Sequence, residues 1–155
     1  MRIIVNGQQA FGKACLEAMF DRGEDIVGVY CALEKPGQPF DPVKEYALEK
    51  GLHLVQPKNY TDANVIRDMR TLNADLMVMA FMIIFVPEEV RDIPTLGSIC
   101  FHPSLLPAYK GGSPIEEMLI KGDKKGGVTF HWMSEEVDGG SIVANAKIMI
   151  TSIDN

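Results

Sequence analysis

Arg2-Ile3-Ile4-Val5-Asn6-Gly7 is the stretch that decides the fold. A β-branched run ends at a glycine turn, Ala10 to Phe20 then carries Phe11, Cys15 and Met19 at helical spacing, and Arg22-Gly23 stops it. Ile26 to Cys31 repeats the strand pattern, so the opening reads strand, helix, strand. Such a unit requires a parallel pair with a right-handed crossover, which makes the class α/β with a mostly parallel, twisted, Rossmann-like sheet and helices on both faces.

Working outward, Lys35 to Pro42 holds three prolines and a glycine and reads as a surface loop. Val43 to Lys50 forms a short helix closed by Gly51, and Leu52 to Val55 a short strand with His53 pointing to water. Thr61-Asp62 caps a helix from Ala63 to Leu72, whose inner face is Val65, Ile66, Met69 and Leu72. Asp75 to Phe81 is apolar on both parities, as expected of a strand covered on both sides. Pro87 to Arg91 is a short helix, and Ile99-Cys100-Phe101 a strand that Pro103 must end, leaving His102 at its carboxyl edge. Ser113 caps a helix with Pro114 at its first position and a stripe of Ile115, Met118 and Leu119. Asp123 to Gly127 is a turn, followed by strands at Val128 to Trp132 and Ser141 to Ile150. Thr151 to Asn155 resembles a helix cap without its helix, which points to a fragment or a domain lacking its closing helix.

The chain has 155 residues and 46% hydrophobic content, enough for one domain spanning 1–155. Fifteen basic against 21 acidic residues give a net charge of -6, which argues against a general phosphate-binding surface and makes nucleic acid an unexpected partner for this domain. Three cysteines without CxxC spacing fit neither a disulfide framework nor a zinc site, and no metal is expected. The longest apolar run, Leu76 to Val86, is too short to span a bilayer, so no membrane partner is expected and a reducing cytoplasm fits best.

Two motifs compete for chemistry. Gly7 to Ala14 comes within one residue of the phosphate loop GxxxxGK[ST], but position 14 lacks the hydroxyl and bulky Gln8, Gln9 and Phe11 crowd the turn. It is read as a plain strand-to-helix turn. The other constellation is His102, the loop Lys110-Gly111-Gly112 and Asp138 in Val137-Asp138-Gly139-Gly140. A carboxylate on a loop between strands can hold the tautomer of a histidine at a neighbouring strand end, and the two then form a proton-transfer pair. An isolated histidine there could equally serve a loop carbonyl.

His102-Pro103-Ser104-Leu105-Leu106-Pro107, followed by Lys110-Gly111, Gly122-Asp123, Gly127-Val128-Thr129 and Val137-Asp138-Gly139-Gly140, resembles the formyltransferase family that uses 10-formyltetrahydrofolate. The likeness covers nearly the whole chain and is greatest to the amino-terminal hydrolase domain of 10-formyltetrahydrofolate dehydrogenase. It implies a formyltransferase fold, a folate co-substrate and a catalytic set of Asn-x-His plus Asp, here Cys100, His102 and Asp138. Cys100 departs from the asparagine and is a poor oxyanion donor; it reads either as a turn away from amine formylation or as core filling. The implied folate pocket draws on Phe81, Met82, Ile83, Ile84, Phe85, Val86, Leu105, Leu106, Pro107 and Val137, with the backbone of residues 133 to 138. Lys110, Gly111 and Gly112 form the implied acceptor loop, with lysine where relatives usually carry arginine. The implied activity is transfer or hydrolytic release of the formyl group through His102 and Asp138. An amine acceptor, water, or a folate-binding module with weakened catalysis all stay open, as does a further domain after residue 155.

Overall fold

β1 (Arg2–Gly7) is buried from Ile3 onward and pairs in parallel with two later strands, β2 (Asp25–Tyr30) and β4 (Leu76–Ala80). The computed structural model describes residues 1–82, 84–151 and 154. These fall into two compact units, Met1–Ser98 and Ile99–Asn155.

In the first unit the strand order is β3-β2-β1-β4, all parallel, with β3 at Leu54–Val55. The crossovers are α1 (Gln9–Asp21), α2 (Pro42–Glu49) and α3 (Ala63–Thr71). Asp62 caps α3 by accepting from the Asn64 amide at 2.8 Å, and the buried face is Val65, Ile66 and Met69. Arg2 closes the far end of α3: Nη2 donates to the Leu72 carbonyl at 2.7 Å and Nε to that of Asn73 at 3.1 Å. A cation on those free carbonyls also opposes the negative end of the helix dipole. A fourth helix, α4 (Glu88–Arg91), follows β4.

The Gly7-to-Gly12 turn is a packing device. A Cβ on Gly7 would lie 2.7 Å from the Ala80 carbonyl oxygen, and one on Gly12 3.0 Å from Val43 Cγ2, so glycine is what lets α1 sit this close to its strands. The first helical amide, that of Gln9, donates to the carboxylate of Asp41 at 2.8 and 3.0 Å, and the same carboxylate accepts from Val43 at the start of α2. The place where a phosphate would sit already carries the chain's own anion.

His53 is exposed, as expected, and carries a second role. Its Nε2 lies 2.9 Å from Asp68 Oδ2, which also accepts from the Tyr30 hydroxyl, so the ring is tied to α3 rather than only to solvent. Burial opposes ionisation of Asp68, yet the bonds from His53 and Tyr30 hold its carboxyl below the usual range.

The second unit holds β5 (Ser98–His102), α5 (Pro114–Lys121), β6 (Lys125–Trp132) and β7 (Ile142–Met149), with antiparallel β5-β6 and β6-β7 pairs. β6 starts earlier than the sequence suggests. Gly126 and Gly127, expected in a turn, pair with Ile148 and Lys147, and a Cβ on Gly127 would meet the Ala146 carbonyl oxygen at 2.3 Å and Leu105 at 2.6 Å. Here glycine marks close approach within a strand. In α5 the buried residues are Pro114 and Met118, while Ile115 is 49% exposed, and the Ser113 hydroxyl makes no capping bond. The reading of 151–155 as a helix cap falls largely outside the described residues; Thr151 donates its amide and hydroxyl to Asp154 Oδ2 at 2.6 and 3.0 Å. Among the described residues no helix is long and apolar enough to cross a membrane.

Candidate functional site

His102 is the last residue of β5, and the loop after it is pinned from within. Thr129, fully buried on β6, donates its hydroxyl to the Ser104 carbonyl at 2.7 Å and accepts from the Leu106 amide at 3.2 Å. Ser104, also fully buried, donates to the Ala108 carbonyl at 2.6 Å. The Leu106-Pro107 peptide is cis. These bonds bring the Tyr109 carbonyl 2.7 Å from His102 Nε2, so Nε2 must carry the proton and donate. The ring therefore turns Nδ1 toward Asp138, whose Oδ2 lies 3.4 Å away. That is an ion-pair distance, longer than a direct hydrogen bond.

Asp138 is aimed by its own backbone. It has φ of 49°, a left-handed conformation that aspartate tolerates better than most residues. The loop folds onto the end of β6 so closely that a Cβ on Gly140 would lie 1.7 Å from the Trp132 carbonyl oxygen. The Gly111 amide donates to Asp138 Oδ2 at 2.9 Å. The His102 and Asp138 side chains are 7% and 15% exposed, so the pair works in an environment where charge is costly and interactions are strong.

The antiparallel register supplies a group that the sequence reading passes over. Cys100 lies opposite His131 and His102 opposite Thr129, so all four side chains share one face of the β5-β6 pair. His131 is buried at 3% exposure, and its Nδ1 lies 2.9 Å from the Trp132 carbonyl. Among the described residues its Nε2 has no hydrogen-bond partner, and it sits 3.6 Å from Asp138 Oδ1. The signal was available: once a strand from Val128 to Trp132 is paired with Ile99 to Phe101, parity places His131 beside the candidate acid-base pair.

The other expected residues are placed as follows. Cys100 is on the site face; burial, and then the charge of Asp138, pushes its thiol up to about 12, so it stays protonated and neutral. Lys110 Nζ pairs with Glu136 Oε1 at 2.8 Å, while the adjoining Gly111 and Gly112 are exposed. Leu106 is buried, Leu105 half-buried, Pro107 exposed and Val137 71% exposed. In the first unit Phe81, with φ of 63°, Met82 and Ile84 are half-buried, Val86 is buried and Phe85 is 82% exposed. Ile83 lies outside the described residues. Among the described residues no group of three or more His, Cys, Asp or Glu side chains is placed to hold a metal ion.

A constellation of this kind invites comparison with known proteins. Methionyl-tRNA formyltransferase of Fusobacterium nucleatum is 35% identical, covering 99% of this chain and 51% of the relative, and that of Flavobacterium johnsoniae is 37% identical, covering 100% and 50%. The chain thus spans about half the length of the curated relatives it matches. Among solved structures, phosphoribosylglycinamide formyltransferase from Anaplasma phagocytophilum superposes with a TM-score of 0.85 at 23% identity, over 100% of this chain and 75% of that one. A formyltetrahydrofolate deformylase from Pseudomonas syringae gives 0.82 at 21% identity, over 99% and 52%. These likenesses establish the α/β, Rossmann-like formyltransferase fold. The likeness to the dehydrogenase domain is coarser than the sequence suggested, for it resolves no further than the family as a whole. The family model described as formyl transferase matches residues 1–155, and the chain belongs to that family.

Proposed function

We propose that this chain carries the formyl-transfer site of an enzyme that takes its one-carbon unit from 10-formyltetrahydrofolate, with His102 and Asp138 as its acid-base pair. The observation that carries the reading is the apposition of two largely buried side chains, His102 Nδ1 and Asp138 Oδ2, at 3.4 Å. Family membership supplies the reaction class.

The chemistry follows from the placement. A nucleophile adds to the formyl carbon on N10 of the folate, and the carbonyl electrons move onto oxygen. His102, with Nε2–H spent on the Tyr109 carbonyl, offers Nδ1 to the reaction, and an imidazolium proton there stabilises the oxyanion. Asp138 balances that charge and accepts the nucleophile's proton. The oxyanion electrons then re-form the carbonyl as the carbon–N10 bond breaks, and N10 leaves with the proton that Asp138 took from the nucleophile, giving tetrahydrofolate and restoring the pair. Leu105, Leu106, Pro107 and Val137, all in the second unit, are the residues we assign to folate contact.

For the acceptor, the curated relatives named for methionyl-tRNA make an aminoacyl-tRNA amine the first candidate. Their names weaken the expectation from net charge that nucleic acid is not a partner of this domain. Cys100 favours a second reading. A neutral thiol is a weak donor where a carboxamide would steady the oxyanion, and this suits the hydrolytic branch, whose products are formate and tetrahydrofolate.

The test measures tetrahydrofolate formation from 10-formyltetrahydrofolate, with and without methionyl-tRNA. His102→Ala and Asp138→Asn are expected to slow it by about a hundredfold or more. Wild-type rates in both would end the proposal. Cys100→Asn is expected to raise transfer to an amine by about tenfold; dependence of turnover on the tRNA separates the two acceptors.

A further inference from the structure

The hydrogen bonds of the two buried histidines leave a proton to be placed. His102 spends Nε2–H on the Tyr109 carbonyl, and His131 spends Nδ1–H on the Trp132 carbonyl. If both rings were neutral, each would turn a bare lone pair toward the same carboxylate, His102 Nδ1 at 3.4 Å and His131 Nε2 at 3.6 Å. A carboxylate buried to this degree and faced by two lone pairs is costly, and the Gly111 amide meets only part of its need.

Other charges do not supply the remedy. On β5 the neighbours are His102 and the neutral thiol of Cys100. On β7 the residue registered with His131 is the uncharged Ile142. From the loop after β6 come Asp138 itself and Glu136, and Glu136 is bound to Lys110, the cation of the loop after β5. The three groups can settle this among themselves by holding one more proton than neutral rings beside a carboxylate would.

We propose that His131 is a positioning residue that shares one proton with His102 across Asp138. The proton sits on either ring, on His102 Nδ1 facing Oδ2 or on His131 Nε2 facing Oδ1, and pairs with the carboxylate at ion-pair distance. With the proton on His131, Asp138 keeps one ring N–H partner while His102 Nδ1 is bare and ready to take up a proton from the reaction. No bond to carbon is made or broken by His131. It sets where the carboxylate points.

The chain has three histidines, so ¹⁵N-histidine spectra resolve each ring. In the wild type the His102 Nδ1 and His131 Nε2 signals are expected to move together with pH. In His131→Gln the pH course of His102 is expected to shift to higher pH, because one ring then holds the proton alone. The same substitution made in Asp138→Asn is expected to give no shift, which places the coupling in the carboxylate. The His53 signals, set by Asp68, report whether each variant is folded. A His102 course in His131→Gln that overlays the wild type, a shift that persists without the carboxylate, or two rings that respond independently in the wild type would each overturn the proposal. The last needs no substitution. A kinetic arm rests on the formyl-transfer reading: kcat is expected to fall about tenfold in His131→Gln with KM within about twofold. Loss of that arm alone, with coupled rings intact, would count against the reaction and not against the proton sharing.

Discussion

Two aspartates, Asp41 and Asp138, sit in loops beside glycine turns that follow strands, and they have opposite fates. Asp41 accepts from the amides of Gln9 and Val43, so its charge is absorbed by the first turns of two helices. Among the described residues, Asp138 receives the amide of Gly111 and faces two ring nitrogens at 3.4 and 3.6 Å. A carboxylate whose lone pairs are filled by backbone donors holds structure together. One that is left facing titratable groups keeps the capacity to move a proton. Counting where hydrogen bonds are spent separates these cases; a glycine motif does not.

The contrast breaks if the wrong aspartate controls turnover. Asp138→Asn is expected to lower formyl transfer by about a hundredfold or more while the melting temperature hardly moves. Gly7→Ala tests the structural side of the comparison. Its methyl would press on the Ala80 carbonyl, and a loss of about 2 to 3 kcal/mol in denaturant unfolding is expected.

A third measurement sharpens the electrostatics around Asp41. Burial would raise the carboxyl of Glu34, but bonds from backbone amides, including that of Asp41, and from Lys44 and Gln56 prevail and hold it at about 2 against an ordinary 4.5. A depressed folded value means that the ionised form stabilises. The contribution is full above the ordinary carboxylate range and fades as pH falls toward about 2. Glu34→Gln is therefore expected to cost about 2 kcal/mol near neutrality and nothing in strong acid, read from denaturation midpoints across pH. Smallest is Asp41→Ala, expected to cost about 1 kcal/mol with little change in turnover.

Local chemistry made much of this legible in the sequence. The opening strand-helix-strand unit, the Asp62 cap and the Gly51 terminator are decided within a few residues of themselves, and the structure has all three. His102 at a strand end was legible because Pro103 must end the ladder. What stayed hidden depends on partners far along the chain. Gly126 and Gly127 look like turn residues until Ile150 and Met118 are seen beside the first and Ala146 and Leu105 pressing on the second, and Asp41 reaches Gln9 across 32 positions. His131 was missed because alternation reports a face and not what else is on it; only the pairing with Cys100 does that. Ile115 fits the apolar periodicity of α5 and is nevertheless exposed, since Pro114 and Met118 take the inward positions.

The place of β1 has a consequence for how the polypeptide is made. It is made before β2 and β4, yet it ends between them, and β4 closes only at Ala80. At about 5 to 20 residues per second, the apolar edge Ile3-Ile4-Val5 waits several seconds between the arrival of β2 and that of β4. During that interval the nascent chain offers a strand of β-branched residues with one edge still open, the segment a cotranslational chaperone would have most reason to shield.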